Sequence, residues 1–261
     1  MKIPAKKSLG QNFLSNPRIL EKICTAAQLT KGDTVLEVGP GTGNLTQVLS
    51  EKVQSVIAIE KDHRLIEELG KRFPDTQRIK VIEGDALEVN PESLGLKARE
   101  YKIVANIPYY ITSHFIRTVF EQWPRPSVIV LTIQKEVAQR IVAKSPHMNL
   151  LALSVQFYAD AKIIDTIKRG SFNPVPKVDS AIIKIVPRIA PLLIKPELFF
   201  RTIKAGFSSP RKQLINNLVP QFGDRETVTE RLKKVYSDEH ARPENLPLQT
   251  WFDLSSMFDK S

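Results

Sequence analysis

The chain has 261 residues, 42% of them hydrophobic and 25% charged, proportions of an ordinary globular protein rather than a disordered, collagenous or membrane-spanning one. Its apolar runs, such as 127–133 and 150–155, are strand-sized and fall short of the roughly 18 to 20 residues that cross a bilayer, so no membrane segment is expected. A net charge of +10 points to a polyanionic partner, while one cysteine (Cys24) and four scattered histidines provide neither an internal disulfide nor a metal-ligand spacing.

The first eleven residues are basic and polar with no apolar segment behind them, which argues against a secretory signal and for a cytoplasmic, metal-free protein. Asn16-Pro17 followed by Ile19, Leu20 and Ile23 combines an N-cap residue, proline at the first helical position and a helical stripe, and predicts a leading helix. From 34 to 134, β-branched apolar runs alternate with segments of helical period, predicting strands at 34–39, 55–60, 79–82, 101–107 and 127–133. These runs are nearly continuous in Val, Ile and Leu, as parallel strands covered on both faces are. Runs at 150–158 and 180–186 read as an antiparallel hairpin that completes a seven-stranded sheet. Pro187, Pro191 and Pro196 then punctuate the chain, and beyond them the pattern is only helical, with Leu214, Leu218, Val228 and Leu232 at helical spacing. The expected organisation is an α/β domain at 1–187 and a small all-helical domain at 188–261.

The first strand runs into Glu37-Val38-Gly39-Pro40-Gly41-Thr42-Gly43-Asn44, where glycines allow a sharp turn and close approach of a ligand to the strand end. A dinucleotide fingerprint needs a third glycine where this chain has Asn44 or Thr46, so a pyrophosphate cradle and a nicotinamide oxidoreductase are disfavoured. Glu60 ends the second strand, 21 residues after Gly39, where a carboxylate can accept both hydroxyls of a ribose. Asp85 ends the third, where it can accept from an adenine amino group. Asp62 fits equally as an N-cap for the next helix. The fourth strand ends in Asn106-Ile107-Pro108-Tyr109-Tyr110. An exocyclic amine is a weak nucleophile that must be held by acceptors and aligned with its electrophile; Asn106 and the Ile107 carbonyl are such acceptors, Pro108 stiffens the turn, and Tyr109 offers a face for a base.

The E-x-G-x-G-x-G run resembles motif I of S-adenosylmethionine-dependent methyltransferases, and Asn-Ile-Pro-Tyr resembles the tetrad of amino methyltransferases acting on ribosomal RNA adenines. Lys7-Ser8-Leu9-Gly10-Gln11-Asn12-Phe13-Leu14, Phe172-Asn173-Pro174-Val175-Pro176-Lys177-Val178-Asp179-Ser180-Ala181, and Arg211-Lys212-Gln213-Leu214 with Asn216-Asn217-Leu218 are similar to segments of the KsgA (RsmA) small-subunit rRNA adenine dimethyltransferases. The resemblance extends over nearly the whole chain. It implies a Rossmann-like class I methyltransferase sheet, S-adenosylmethionine as cofactor, and N6,N6-dimethylation of two adjacent adenosines in the 3′-terminal hairpin loop of 16S rRNA within the small subunit, by a monomer involved in late subunit assembly. It further implies that Asn12 and Leu14 touch the methionine end of the cofactor, Gly39 and Gly41 form the turn, Glu60 binds the ribose, and Asp85 and Ala86 lie at the adenine. Asn106 would serve both cofactor and target amine, and Tyr109 and Phe172 would sandwich a flipped adenine; the Pro-flanked loop around Phe172 predicts an exposed platform. No general base is needed, and His114 is expected to be a surface residue. Lys2, Lys6, Lys7, Arg211 and Lys212 are candidate phosphate contacts. Two departures stand out, the loop 144–149 and Pro210. The rivals are a large-subunit adenine methyltransferase of the Erm type, which shares motif I and the tetrad, and a mainly non-catalytic assembly factor.

Overall fold

This computed structural model describes residues 4–74, 77–189 and 194–259. In chain order their strands are β1 (Phe13–Leu14), β2 (Thr34–Val38), β3 (Ser55–Glu60), β4 (Ile79–Glu83), β5 (Tyr101–Asn106), β6 (Val128–Gln134), β7 (Ala159–Ile167), β8 (Phe172–Asn173) and β9 (Ser180–Pro187). Their helices are α1 (Pro17–Ala26), α2 (Asn44–Ser50), α3 (His63–Arg72), α4 (Thr112–Glu121), α5 (Lys135–Ile141), α6 (Leu150–Tyr158), α7 (Pro196–Gly206), α8 (Leu214–Phe222), α9 (Arg225–Val235) and α10 (Leu248–Met257).

The chain divides into two compact units. The first, through Ala138 and again over Asp160–Pro187, holds a seven-stranded sheet of order β4-β3-β2-β5-β6-β9-β7. β4, β3, β2, β5 and β6 are parallel, and β9 runs antiparallel to β6 with Ile129 opposite Ile185 and Gln134 opposite Ser180. The strand order reverses between β2 and β5, where Leu36 lies opposite Ile103. At such a switch point the connections leave in opposite directions and open a crevice at the carboxyl ends. That places the glycine turn after β2 beside Asn106 at the end of β5. Ile23 and Ala27 of the leading segment pack with Leu49, Val35, Val104, Val130 and Ile182 over one face of the sheet. Asn16 caps α1 by accepting the Arg18 N–H, as the Asn-Pro pair predicts. β1 and β8 form a separate ribbon in which Leu14 pairs with Phe172 and Phe13 with Asn173.

One predicted element is corrected. Residues 150–158 form the helix α6, and the strand that completes the sheet is β7, over Ala159–Ile167. The run Leu-Leu-Ala-Leu-Ser-Val-Gln-Phe-Tyr is apolar nearly all round, and a short buried segment of that kind has no periodicity to separate helix from strand. The deciding signal was Asn149, whose side chain accepts the Ala152 N–H as an N-cap.

The second unit joins 188–259 to 139–159, a stretch that chain order alone assigns to the first. Aromatic packing accounts for it: Phe157 of α6 stacks on Phe199 of α7 at 4.4 Å and lies 5.8 Å from Phe252 of α10. The divergent loop before α6 is fixed within the same unit by Ser145 Oγ, which donates to the Asn245 carbonyl at 2.7 Å, and by the Met148 N–H, which donates to the Glu244 carbonyl at 3.0 Å.

Candidate active site

A cleft with an empty volume of about 980 Å³, counting its open mouth, lies at the carboxyl ends of the parallel strands. Its floor is the turn after β2, where Gly39, Gly41 and Gly43 all take positive φ, at 68°, 59° and 78°. A Cβ on Gly41 would stand 2.9 Å from the Phe13 ring, so β1 can lie over the turn only because this residue lacks a side chain.

The carboxylates expected at the next two strand ends face the same cleft. Glu60 is buried, and its two oxygens accept the Gly41 N–H at 3.0 Å and the Asp62 N–H at 2.9 Å. Burial raises its pKa while these backbone donors pull it down. Each oxygen keeps a second lone pair, so Glu60 can still receive two hydroxyl donors. Asp85 lies beside Ala86; one oxygen accepts the Leu87 N–H at 2.9 Å and the other pairs with Lys61 Nζ at 2.6 Å. Burial works against its charge, but the Lys61 ammonium and the backbone donor prevail and hold its carboxyl below the ordinary value. Asp62 is the N-cap of α3 and is clamped by Arg64 and by Gln11 Nε2, which bring its pKa to about 2.

Asn12 and Leu14 reach the cleft from the N-terminal segment. The Asn106 side-chain Nδ2 donates to the Asn12 carbonyl at 3.0 Å. A carbonyl can only accept, so this bond fixes the amide orientation and leaves Asn106 Oδ1 as an acceptor. Ile107, Pro108 and Tyr109 follow along the cleft wall. The Tyr109 hydroxyl lies 2.6 Å from Ser180 Oγ at the start of β9, which anchors the half-buried ring.

Phe172 departs from expectation. It is only 3% exposed and packs in the core with Leu14 and Ile167, so the exposed platform predicted from its Pro-flanked loop is absent. Pairing of β8 with β1 turned the ring inward, a tertiary contact that local sequence does not announce. Lys6, Arg211 and Lys212 are exposed; the last two precede α8, in the second unit. Lys2 and the Lys7 side chain lie outside the described residues. His114 is exposed.

Sequence reading also missed Glu37, which lines the cleft while 1% exposed, with Oε2 buried and lacking a hydrogen-bond partner. Burial, with the nearby Glu60 charge adding to it, pushes its pKa up to about 8 although Thr46 opposes the shift. Its acidic place in the glycine motif was the available signal. Among the described residues no cluster of three or more His, Cys, Asp or Glu could hold a metal, and no helix is long and apolar enough to cross a membrane.

Over residues 3–260 the sequence matches the family described as Ribosomal RNA adenine dimethylase. The chain belongs to that family. This dimethylase is 40% identical to the ribosomal RNA small subunit methyltransferase A of Dehalococcoides mccartyi strain CBDB1, over 97% of this chain and 88% of the relative. It is also 40% identical to the protein of that name from Crocosphaera subtropica, over 98% of each. Among solved structures it superposes on a dimethyladenosine transferase from Plasmodium falciparum with a TM-score of 0.82 and 29% identity, covering 95% of this chain and 98% of that one. The 23S rRNA methyltransferase ErmE superposes with a TM-score of 0.79 and 26% identity, covering 95% and 100%. The dimethylase therefore has the class I methyltransferase fold and methylates rRNA adenine with S-adenosylmethionine. Its cleft suits that cofactor: Glu60, at the end of β3 on the cleft wall, keeps a lone pair on each oxygen for the hydroxyl donors that a nucleoside carries.

Proposed function

We propose that this dimethylase converts two adjacent adenosines in the 3′-terminal hairpin loop of 16S rRNA, within the small ribosomal subunit, to N6,N6-dimethyladenosine. The observation that carries the reading is the Asn106 amide, which lines the cleft and is locked by its Nδ2 on the Asn12 carbonyl so that Oδ1 is left as an acceptor. S-adenosylmethionine, when bound, supplies an electrophilic methyl group. Glu60 accepts the ribose hydroxyls, Asp85 with Ala86 frames the adenine, Gly39 and Gly41 let the backbone come close, and Asn12 and Leu14 border the methionine end.

Asn106 Oδ1 and the Ile107 carbonyl accept the two N–H groups of the target amine, which aims its lone pair at the methyl carbon. Pro108 holds that turn stiff. Tyr109, tethered to Ser180, gives the flipped base a fixed face. Phe172 acts from beneath, by seating Leu14 through the β1–β8 pair. Once the nitrogen is alkylated its proton is acidic and leaves to solvent or a carbonyl. The product amine is still a nucleophile, so a second round needs only a fresh cofactor and room for one methyl.

Lys6, Lys7, Arg211 and Lys212 hold phosphates, with residues 1–187, less the 139–159 stretch that packs with the second unit, serving as catalytic domain and 188–261 as helical RNA-binding domain. The protein works in the cytoplasm as a monomer, in late subunit assembly. The names of the relatives support the small-subunit target. The test incubates the protein with methyl-labelled S-adenosylmethionine and unmodified small subunits, large subunits or neither, followed by nucleoside mass analysis. Dimethyladenosine at two adjacent positions of the small subunit, lost with Asn106→Ala, is the expected result. Label confined to large subunits establishes the Erm-type reading instead, and binding without label establishes a non-catalytic assembly role.

A further inference from the structure

Tyr109 and Tyr110 are consecutive on one turn of 3-10 helix, yet they face different surroundings. Tyr109 is half-buried and tied to Ser180, whereas Tyr110 is 62% exposed at the rim of the same cleft. A solitary exposed aromatic means little by itself. This ring, however, is seated. Gly10 comes up against it at a φ of 61°, so closely that a Cβ there would lie 3.2 Å from Tyr110 Cδ1, 3.4 Å from Cε1 and 3.6 Å from Pro108 Cβ. The Cδ1–Cε1 edge of the ring therefore lies against the N-terminal segment, while most of the side chain is open to solvent. Its hydroxyl makes no hydrogen bond among the described residues.

We propose that Tyr110 is the stacking platform for the nucleotide next to the one being methylated. The proposal rests on the preceding reading that Tyr109 faces the target adenine. Taking a base out of its stack strips its neighbour of a partner, and a rigid aromatic face one residue away from the target's own ring replaces that partner without selecting a sequence. The occupant is a single-stranded RNA segment, because the ring is open to a base and the exposed Lys6 lies in the same N-terminal segment as Gly10, while Lys61 on the cleft wall already has its charge paired with Asp85. With two adjacent targets, whichever adenosine is outside the pocket rests on Tyr110 while the other reacts.

The experiment uses the full chain with Tyr110→Phe, Tyr110→Leu and Tyr110→Ala, and an RNA hairpin carrying 2-aminopurine beside the target. Tyr110→Leu keeps an apolar side chain beside Gly10 but removes the aromatic face. The expected result is a rise in RNA KM of roughly 5- to 150-fold for Leu and Ala, with kcat within about twofold, S-adenosylhomocysteine affinity unchanged, and 2-aminopurine quenching lost. Tyr110→Phe restores both KM and quenching. Unchanged KM and quenching in Tyr110→Leu overturn the proposal, and so does a loss of S-adenosylhomocysteine affinity, which would make the ring a cover for the cofactor. A wild-type protein that forms no dimethyladenosine overturns the functional reading itself, and this is seen before any variant is compared.

Discussion

Gly39 and Gly41 sit in the same turn with nearly the same left-handed backbone, at φ 68° and 59°, yet their neighbours differ. A Cβ on Gly39 meets only the Asn106 carbonyl oxygen and Pro108 Cδ, both at 3.9 Å, which is ordinary contact. Gly39→Ala therefore carries the left-handed cost alone, about 1–2 kcal/mol. A Cβ on Gly41 meets the Phe13 ring at 2.9 Å. That ring cannot readily yield, because its backbone pairs with Asn173 and its side chain packs against Leu65, Leu69 and Phe73. Overpacking of this kind adds about 1–3 kcal/mol, so Gly41→Ala is expected to cost about 2–5 kcal/mol in total. Urea unfolding of the two variants measures the difference directly. The Gly41 N–H also holds Glu60, so S-adenosylhomocysteine titrations should show Gly41→Ala weakening the site even where the protein is folded. If Gly41→Ala unfolds at the same urea concentration as Gly39→Ala, Phe13 does not constrain the turn and this account of the cleft floor fails.

Glu37 provides a pH test whose sign is fixed. Its folded pKa of about 8 lies above that of an unfolded glutamate, so the native state holds the proton over pH 4.5 to 8 and is destabilised as pH rises through that window. Glu37→Gln removes the titration, and its gain in thermal stability over wild type should be small at pH 5 and grow to a few kcal/mol near pH 8, because each tenfold change in proton affinity is worth about 1.4 kcal/mol; a gain that does not change with pH contradicts the buried, protonated carboxyl. Ser180→Ala unties the Tyr109 hydroxyl and should lower kcat about fivefold while leaving S-adenosylhomocysteine affinity alone, since the loss of one hydrogen bond is worth about 1 kcal/mol; steady-state kinetics alongside calorimetry separates the two. In the second unit, a Cβ on Gly206 would lie 2.4 Å from the Trp251 ring, so Gly206→Ala should destabilise the helical unit by about 1–3 kcal/mol, measured by unfolding followed through Trp251 fluorescence.

What could be read in advance was whatever depended on neighbours in sequence. β2, β3, β5 and β6 announce themselves because a strand buried on both faces needs an unbroken apolar run, and Gly39, Glu60 and Asn106 could be placed because each stands at the end of such a strand, while Asp85 follows the shorter, half-exposed β4. The N-cap at Asn16 and the dual character of Asp62 were likewise local. α6 was misread because its run is apolar on every side, leaving only Asn149 to mark it. Phe172 was misread because its environment is made by Leu14, far away in the chain, through the β1–β8 pair. The same holds for Tyr109 with Ser180 and for Asp85 with Lys61: the residue types were visible, but the partner that sets each orientation or charge was not.

The ribbon of β1 with β8, the bond from Asn106 to the Asn12 carbonyl and the tie from Tyr109 to Ser180 have a temporal meaning as well. Chains emerge from the ribosome N-terminus first, and domains fold as they appear. The cofactor motif and the acceptor turn are both made by residue 110, but the strand that seats Leu14 and the hydroxyl that steadies Tyr109 arrive only with Phe172 and Ser180. A nascent chain therefore carries the glycine turn and Asn106 long before it carries the strand and the hydroxyl that brace the cleft around them.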